Sequence, residues 1–163
     1  MDTMNARMAR FVRSLTRFRR LQPRVGHFHS VVVRLSRGRI KRSVLLAGGQ
    51  PVLVLTTTGR RSGRPRSTVV AYIRHGRSYA SAGLNLGSDR DPAWALNLRA
   101  QPRAQIEIGG RRIAVTAREA HGVEAEALWA RFIERLPLIA ASRELAQREA
   151  PMFVWDPEGA AVG

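Results

Sequence analysis

The 163-residue chain contains no cysteine, which excludes disulfides, cysteine-ligated metals and thiol nucleophiles. That absence fits a reducing cytoplasm. Acidic residues are scarce, 12 against 28 lysines and arginines, and the formal net charge is +16. A chain this basic seeks anions, whether small-molecule phosphates and carboxylates, a nucleic-acid backbone or an anionic membrane surface. Long apolar runs are missing as well. No stretch approaches the ~20 apolar residues of a membrane span. No apolar core of roughly 7–15 residues follows the basic start, so no secretory signal is expected. Among the four histidines only His27 and His29 lie close together, on a basic segment where solvation or packing is the expected role. No metal site is expected.

What is present suffices for one packed domain, since 44% of the residues are hydrophobic. The charge is unevenly spread. Residues 1–42 hold twelve of the 28 basic residues and one acid, Asp2, whereas residues 43–163 hold sixteen basic and eleven acidic residues. The chain therefore divides into a basic arm, 1–42, and a moderately basic body, 43–163. In the arm, Met4, Met8, Phe11, Leu15 and Phe18 recur on one face of a helix, and Arg7, Arg10, Arg13, Arg17, Arg19 and Arg20 fill much of the rest. Such a helix suits an anionic membrane surface. It equally suits packing on the body, and its composition resembles that of a transit peptide. Nucleic-acid arms usually lack a continuous apolar stripe, so nucleic acid is not the expected partner. The expectation is a cytoplasmic protein, peripheral on the inner face of the membrane where the arm engages it. A second short helix is expected over Phe28 to Leu35, ending near Gly38.

The chain is organised around Val52 to Ser67, VLVLTTTGRRSGRPRS. Apolar and β-branched residues from Val52 to Thr58 predict a strand. Gly59, Gly63 and Pro65 then keep the chain out of regular structure, and Arg60, Arg61, Ser62, Arg64 and Arg66 fill the gap. Glycines let backbone N–H groups approach an anion, and guanidinium forks match phosphate or carboxylate. The stretch is an anion-binding loop candidate; a solvated basic loop is the alternative.

The remainder reads as antiparallel sheet with inserted helices. Thr68 to Ile73 and Ser78 to Ala82 are strands about a His75-Gly76 turn, and Gly83 to Asp91 is a loop. Asp91-Pro92 looks like an N-cap acid with proline at the first helical position, opening a helix that stops before Pro102. Strands over Ala104 to Ile108 and Arg112 to Arg118 flank a Gly109-Gly110 hairpin turn. His121 to Leu136 is helical, with Val123, Ala127, Leu128, Phe132 and Leu136 on one face. Ile139 to Glu149 reads as a short helix and Met152 to Trp155 as a closing strand. The expected class is α+β, a barrel-like, mainly antiparallel sheet with peripheral helices.

At this point a family resemblance enters. The segment TTTGRRSGRPRST, the loop with Gly83 and Gly87, Asp89-Arg90-Asp91-Pro92-Ala93-Trp94 with Asn97-Leu98, Gln101-Pro102-Arg103, and Arg148-Glu149-Ala150-Pro151 resemble the deazaflavin-dependent nitroreductase and quinone reductase family. The resemblance spans about residues 45–157. It implies a split β-barrel of FMN-binding type that binds reduced coenzyme F-420 and passes its hydride to an organic acceptor. The coenzyme carries a phosphodiester and a polyglutamate tail. By resemblance, Arg60, Arg61 and Ser62 would take the phosphate with backbone help near Gly63, and Arg66 would support that group or the tail. Thr57, Asn85 and Gly87 join the implied cofactor contacts. Trp94 would lie against the ring or shape its pocket, and Asn97 would hydrogen-bond the cofactor. Read without the family, Trp94 is a core aromatic.

Departures from the family pattern bear on the acceptor. Asn85-Leu86-Gly87 stands where relatives carry Lys or Asn before two glycines, and Ala95 stands where tyrosine is frequent. Around the helix break, Leu136, Pro137, Leu138, Ile139 and Ser142 replace several tyrosines. An acceptor pocket with Ala95, Leu136, Ile139 and Ser142 would be more apolar, which suits a lipophilic acceptor such as a long-chain quinone. A quinone, an activated alkene or a nitro compound all fit the implied chemistry. Ser142, Tyr72 and Tyr79 are hydroxyl candidates for proton delivery, with solvent as an equal source, so no catalytic residue is assigned. A split barrel holding FMN or heme, and a non-enzymatic membrane- or nucleic-acid-binding protein, are the competing classes.

Overall fold

A computed structural model describes residues 42–43, 50–85, 89–135, 143 and 148–159. The expected helices of the arm, Gly87, Leu136, Ile139 and Ser142 lie outside the described residues.

Among the described residues, eight strands and two longer helices follow in the order β1 Arg42–Ser43, β2 Gln50–Thr58, β3 Pro65–Ala71, β4 Ile73–His75, β5 Ser78–Ala82, α1 Ala93–Ala100, β6 Arg103–Ile108, β7 Arg111–Ala120, α2 Gly122–Arg135 and β8 Met152–Pro157. The sheet runs β1-β2-β6-β7-β8-β5-β4, with β3 also on β2, and every pairing is antiparallel. Arg42 belongs to this sheet, one residue before the expected boundary of the body.

Each face of the sheet has its own core. Side chains alternate along a strand, so Met152 and Val154 of β8 join one cluster while Phe153 and Trp155 join the other. All four are buried because a helix covers each face. α2 brings Leu128, Trp129 and Phe132 to Ile73, Ala80 and Met152. α1 brings Trp94, Ala95 and Leu98 to Leu53, Leu55, Ile106 and Trp155.

Local chemistry explains most boundaries. Gly109 and Gly110 both have positive φ, 58° and 82°, which the tight β6–β7 turn requires and which glycine adopts without a Cβ clash. Three expectations are corrected. Pro65 opens β3 and Arg66 lies within it, opposite Thr57, because proline is tolerated at the first residue of a strand. The strand expected over Thr68 to Ile73 breaks at Tyr72, which separates β3 from β4. In α2 Val123 is 88% exposed and Ala127 is also outside, while Trp129 is buried instead. The inward stripe runs through Ala125, Leu128, Trp129 and Phe132, and at about 100° per residue Val123 and Ala127 lie on the opposite side of the helix.

α2 is latched at its start. Arg118 on β7 donates two hydrogen bonds to Glu124, at 2.6 and 2.7 Å, and His75 lies 3.5 Å away. The guanidinium of Arg118, with a smaller contribution from His75, holds the Glu124 carboxyl below its ordinary value of 4.5. A depressed carboxyl stabilises the fold above its unfolded pKa, and that contribution is lost as pH falls through the folded one. Glu124→Gln is thus expected to lower the melting temperature at pH 7, with the difference from wild type closing below about pH 4.5. A constant difference down to pH 3 would contradict the latch.

Candidate functional site

The strand register gathers the chemistry at one end of the sheet. Thr58 faces Pro65, Thr57 faces Ala104, and Met152 faces both Ala120 and Ala82. The ends of β2, β5 and β7 therefore meet the beginnings of β3, β6 and β8. The turn Gly59–Arg64, the Gly83–Asp91 loop, the start of α1 and the segment 148–151 all leave from that end.

The turn is built on Gly59. Its carbonyl accepts from the N–H groups of Ser62 and Gly63, at 3.1 and 2.7 Å, and its own N–H donates to the Arg64 carbonyl at 2.9 Å. A Cβ on Gly59 would stand 2.8 Å from Ser62 Oγ and 3.1 Å from the Arg64 carbonyl oxygen, so no other residue fits without a shift. Gly63 closes the turn at φ 64°. The expectation of backbone help near Gly63 meets a correction here: the N–H groups of Ser62 and Gly63 are consumed inside the turn. What the turn presents outward is side chains. Residues 60–66 are exposed, and the guanidinium groups of Arg60, Arg61, Arg64 and Arg66 form no ion pair among the described residues.

Asn97 sets this turn in place from α1. Its Oδ1 accepts from the Arg60 N–H at 3.1 Å, and its Nδ2 donates to Thr57 Oγ1 at 3.0 Å. Asn97 is 4% exposed and Thr57 2%. A buried amide between two leucines needs partners, and these are they. The asparagine and the threonine thus support the arginines from beneath.

Trp94 packs edge-on to Phe153 and Trp155, with ring centroids 5.4 and 6.0 Å apart, in the core under α1. Ala95 is fully buried beside it. With no exposed surface, Ala95 has nothing to offer an acceptor, which corrects its expected place in a pocket. Tyr72 sits at the far end of β3, about 20 Å from the turn at ~3.3 Å per residue. Its ring meets Tyr79 edge-on at 5.7 Å. Burial, with Tyr79 adding and Arg74 opposing, raises the Tyr72 hydroxyl above its ordinary pKa, so it stays protonated near neutrality.

Asn85 has a left-handed backbone, φ 47°, and its Nδ2 donates to the Arg90 carbonyl at 3.1 Å across the loop. Asp91 does not cap α1. Pro92 occupies the N-cap position with no side-chain cap, and the Asp91 carboxylate instead meets Arg99 and Arg148. Two guanidinium partners outcompete a backbone N–H for a carboxylate. Arg99 also makes a bidentate pair with Glu119, at 2.8 Å on both arms. That pair in the first place, with Asp91 adding to it, raises the Arg99 pKa further. Arg148 was visible in the sequence only as part of a motif, and its partners lie 57 and 65 residues away.

Comparison with known proteins bears on the family and the fold. An F420H(2)-dependent quinone reductase of Mycobacterium tuberculosis is 35% identical over 103 residues, 62% of this chain and 68% of its own length. The structure of an F420-H2 dependent reductase, FDR-A, is similar with a TM-score of 0.60 and 29% identity, covering 65% of this chain and 94% of that one. A heme-binding protein of Mycobacterium smegmatis, at 22% identity and TM-score 0.51 over 66% of this chain and 46% of that one, shares the fold alone. The sheet is the split β-barrel of these reductases. The family model for F420H(2)-dependent quinone reductases matches residues 28–157, and the chain belongs to that family.

Proposed function

We propose that the Gly59–Arg64 turn, with Arg66, holds the phosphodiester and acidic tail of coenzyme F-420, and that the hydride goes to a quinone. As a member of its family, the chain is an F-420-dependent oxidoreductase. The observation that carries the siting is the set of four exposed guanidinium groups on one supported turn, with no carboxylate partner among the described residues. The donor set fits the group. A phosphodiester followed by glutamates is a chain of anions, and arginine forks bind such oxygens bidentately.

The coenzyme supplies the hydride when bound. The protein's part is to bind and to orient. Asn97 and Thr57 hold the turn so that its arginines need little reordering as the anion arrives. Quinone reduction to hydroquinone consumes one hydride and one proton. Tyr72 lies at the opposite end of the sheet from the turn, Tyr79 is buried against it, and we assign the proton to solvent.

The test is turnover of the full chain with reduced F-420 against quinones and nitroaromatics of matched potential. Quinones are expected to be reduced faster, and a reversed preference would overturn the acceptor assignment. A lipophilic acceptor and an arm seated on the membrane belong to the same proposal, motivated by the amphipathic segment 4–20. With a long-chain quinone in anionic vesicles the full chain should outpace a chain lacking residues 1–41. Equal rates would remove the arm from it.

A further inference from the structure

The strongest feature outside the arginine turn is a run of alternating charges, Glu119, Arg99, Asp91 and Arg148, that crosses four segments. Glu119 is at the end of β7, Arg99 is on α1, Asp91 ends the Gly83–Asp91 loop, and Arg148 precedes β8. The pair at its Arg148 end is well covered, with Arg148 15% and Asp91 18% exposed.

Arg148 is the most connected member. Its Nη1 donates to Asp91 Oδ1 at 2.6 Å and to the Glu149 carbonyl at 3.3 Å. Its Nη2 donates to the Gly83 carbonyl at 2.7 Å and to the Arg90 carbonyl at 3.2 Å. One planar group thereby grips both ends of the loop, its first residue and its last two. The neighbouring backbone closes the same junction. Gly83 N–H donates to the Pro151 carbonyl at 2.8 Å, and a Cβ on Gly83 would stand 2.8 Å from the Pro151 ring. Asp91 then passes the restraint to α1 through Arg99. α1 is the same helix whose Asn97 holds the arginine turn. The two loops that frame the end of the sheet are thus tied to one eight-residue helix, one by an amide and the other by ion pairs.

We infer that Arg148 and Asp91 are positioning residues for coenzyme binding: they clamp the two ends of the loop, residues 83–85 and 89–91, to α1, on the same end of the sheet as the arginine turn. This rests on the deazaflavin reading and deepens it. A lysine does not replace Arg148, because an ammonium is a point donor and cannot span the Gly83 carbonyl and the Asp91 carboxylate in one plane. Nor does asparagine replace Asp91, which must accept from two guanidinium groups at once.

The experiment measures F-420 affinity by coenzyme fluorescence on the full chain, with amide hydrogen exchange on the coenzyme-free protein. Arg148→Lys and Asp91→Asn are each expected to weaken binding about tenfold or more, from the loss of charge-assisted bonds. The double variant should be no worse than the weaker single, since both open one clamp. Exchange should rise at residues 83–85 and 89–91 and stay unchanged in β8. Methylguanidinium should restore part of the affinity of Arg148→Ala. Undiminished affinity in Arg148→Lys, additive losses, or an equal rise of exchange in β8 would overturn the clamp while leaving coenzyme binding intact. A wild-type protein that does not bind F-420 would remove the deazaflavin reading and this inference together.

Discussion

Replacing Arg60 and Arg61 together by alanine is expected to weaken F-420 binding about a hundredfold at low salt, because two charge-assisted contacts to phosphate are lost. Both side chains are exposed and form no ion pair among the described residues, so the melting temperature should not move. The effect should shrink as salt is added, since the attraction acts across water and the Debye length falls to about 8 Å at physiological ionic strength. Fluorescence titration of both proteins at two salt concentrations checks it. Equal affinities at low salt would leave the turn a solvated basic loop, the alternative that the sequence left open. A loss that salt did not diminish would point to a changed fold instead of a missing charge.

Asn97→Leu is expected to do what the arginine pair does not, and lower stability. Leucine fills the same buried volume but leaves the Arg60 N–H without its acceptor and Thr57 Oγ1 without its donor, with only the 3.5 Å bond to the Arg66 carbonyl remaining to the hydroxyl. Unsatisfied polar groups of this kind cost about 1–3 kcal/mol each. For a domain of this size the melting temperature should fall by roughly 10 °C. Asn97→Asp is the informative companion. The carboxylate can still accept from the Arg60 N–H, and the Thr57 hydroxyl can turn to donate to it, so most of the stability should return. Thermal unfolding distinguishes the two. A leucine variant as stable as wild type would mean that the amide holds nothing in place, and Asn97 would revert to a direct ligand of the coenzyme.

Much of the fold was legible because the relevant forces are local. β2 and the β6–β7 hairpin follow from β-branched runs interrupted by glycines, β5 follows from the return after the His75-Gly76 turn, and Gly109 and Gly110 adopt the positive φ that glycine takes readily. α1 lies between Asp91-Pro92 and Pro102 because proline cannot continue a helix from within. The arginine turn was legible for the same reason, as composition placed between two strands. Errors arose where a local rule met a distant competitor. Asp91 has the chemistry of a cap, yet two guanidinium groups, one 57 residues away, take its carboxylate. Val123 and Ala127 extend an apolar spacing that Leu128 and Phe132 share, yet α2 settles on the sheet through Ala125, Leu128, Trp129 and Phe132, and the valine faces solvent.

The sequence by itself determined that the chain is a basic, cysteine-free α+β domain, with arginines concentrated after one strand and a family pattern running through the body. Those are properties of residue type and spacing, which need no partner to be read. Tertiary structure alone decided how the pieces act on one another. It turned the Ser62 and Gly63 amides inward, put Asn97 under the turn instead of in front of it, buried Ala95, and brought Arg148 onto both ends of a loop more than fifty residues earlier. The physical reason is that a hydrogen-bonding or charged group goes to the best partner that folding places within about 3 Å, and sequence distance carries no information about which partner that will be.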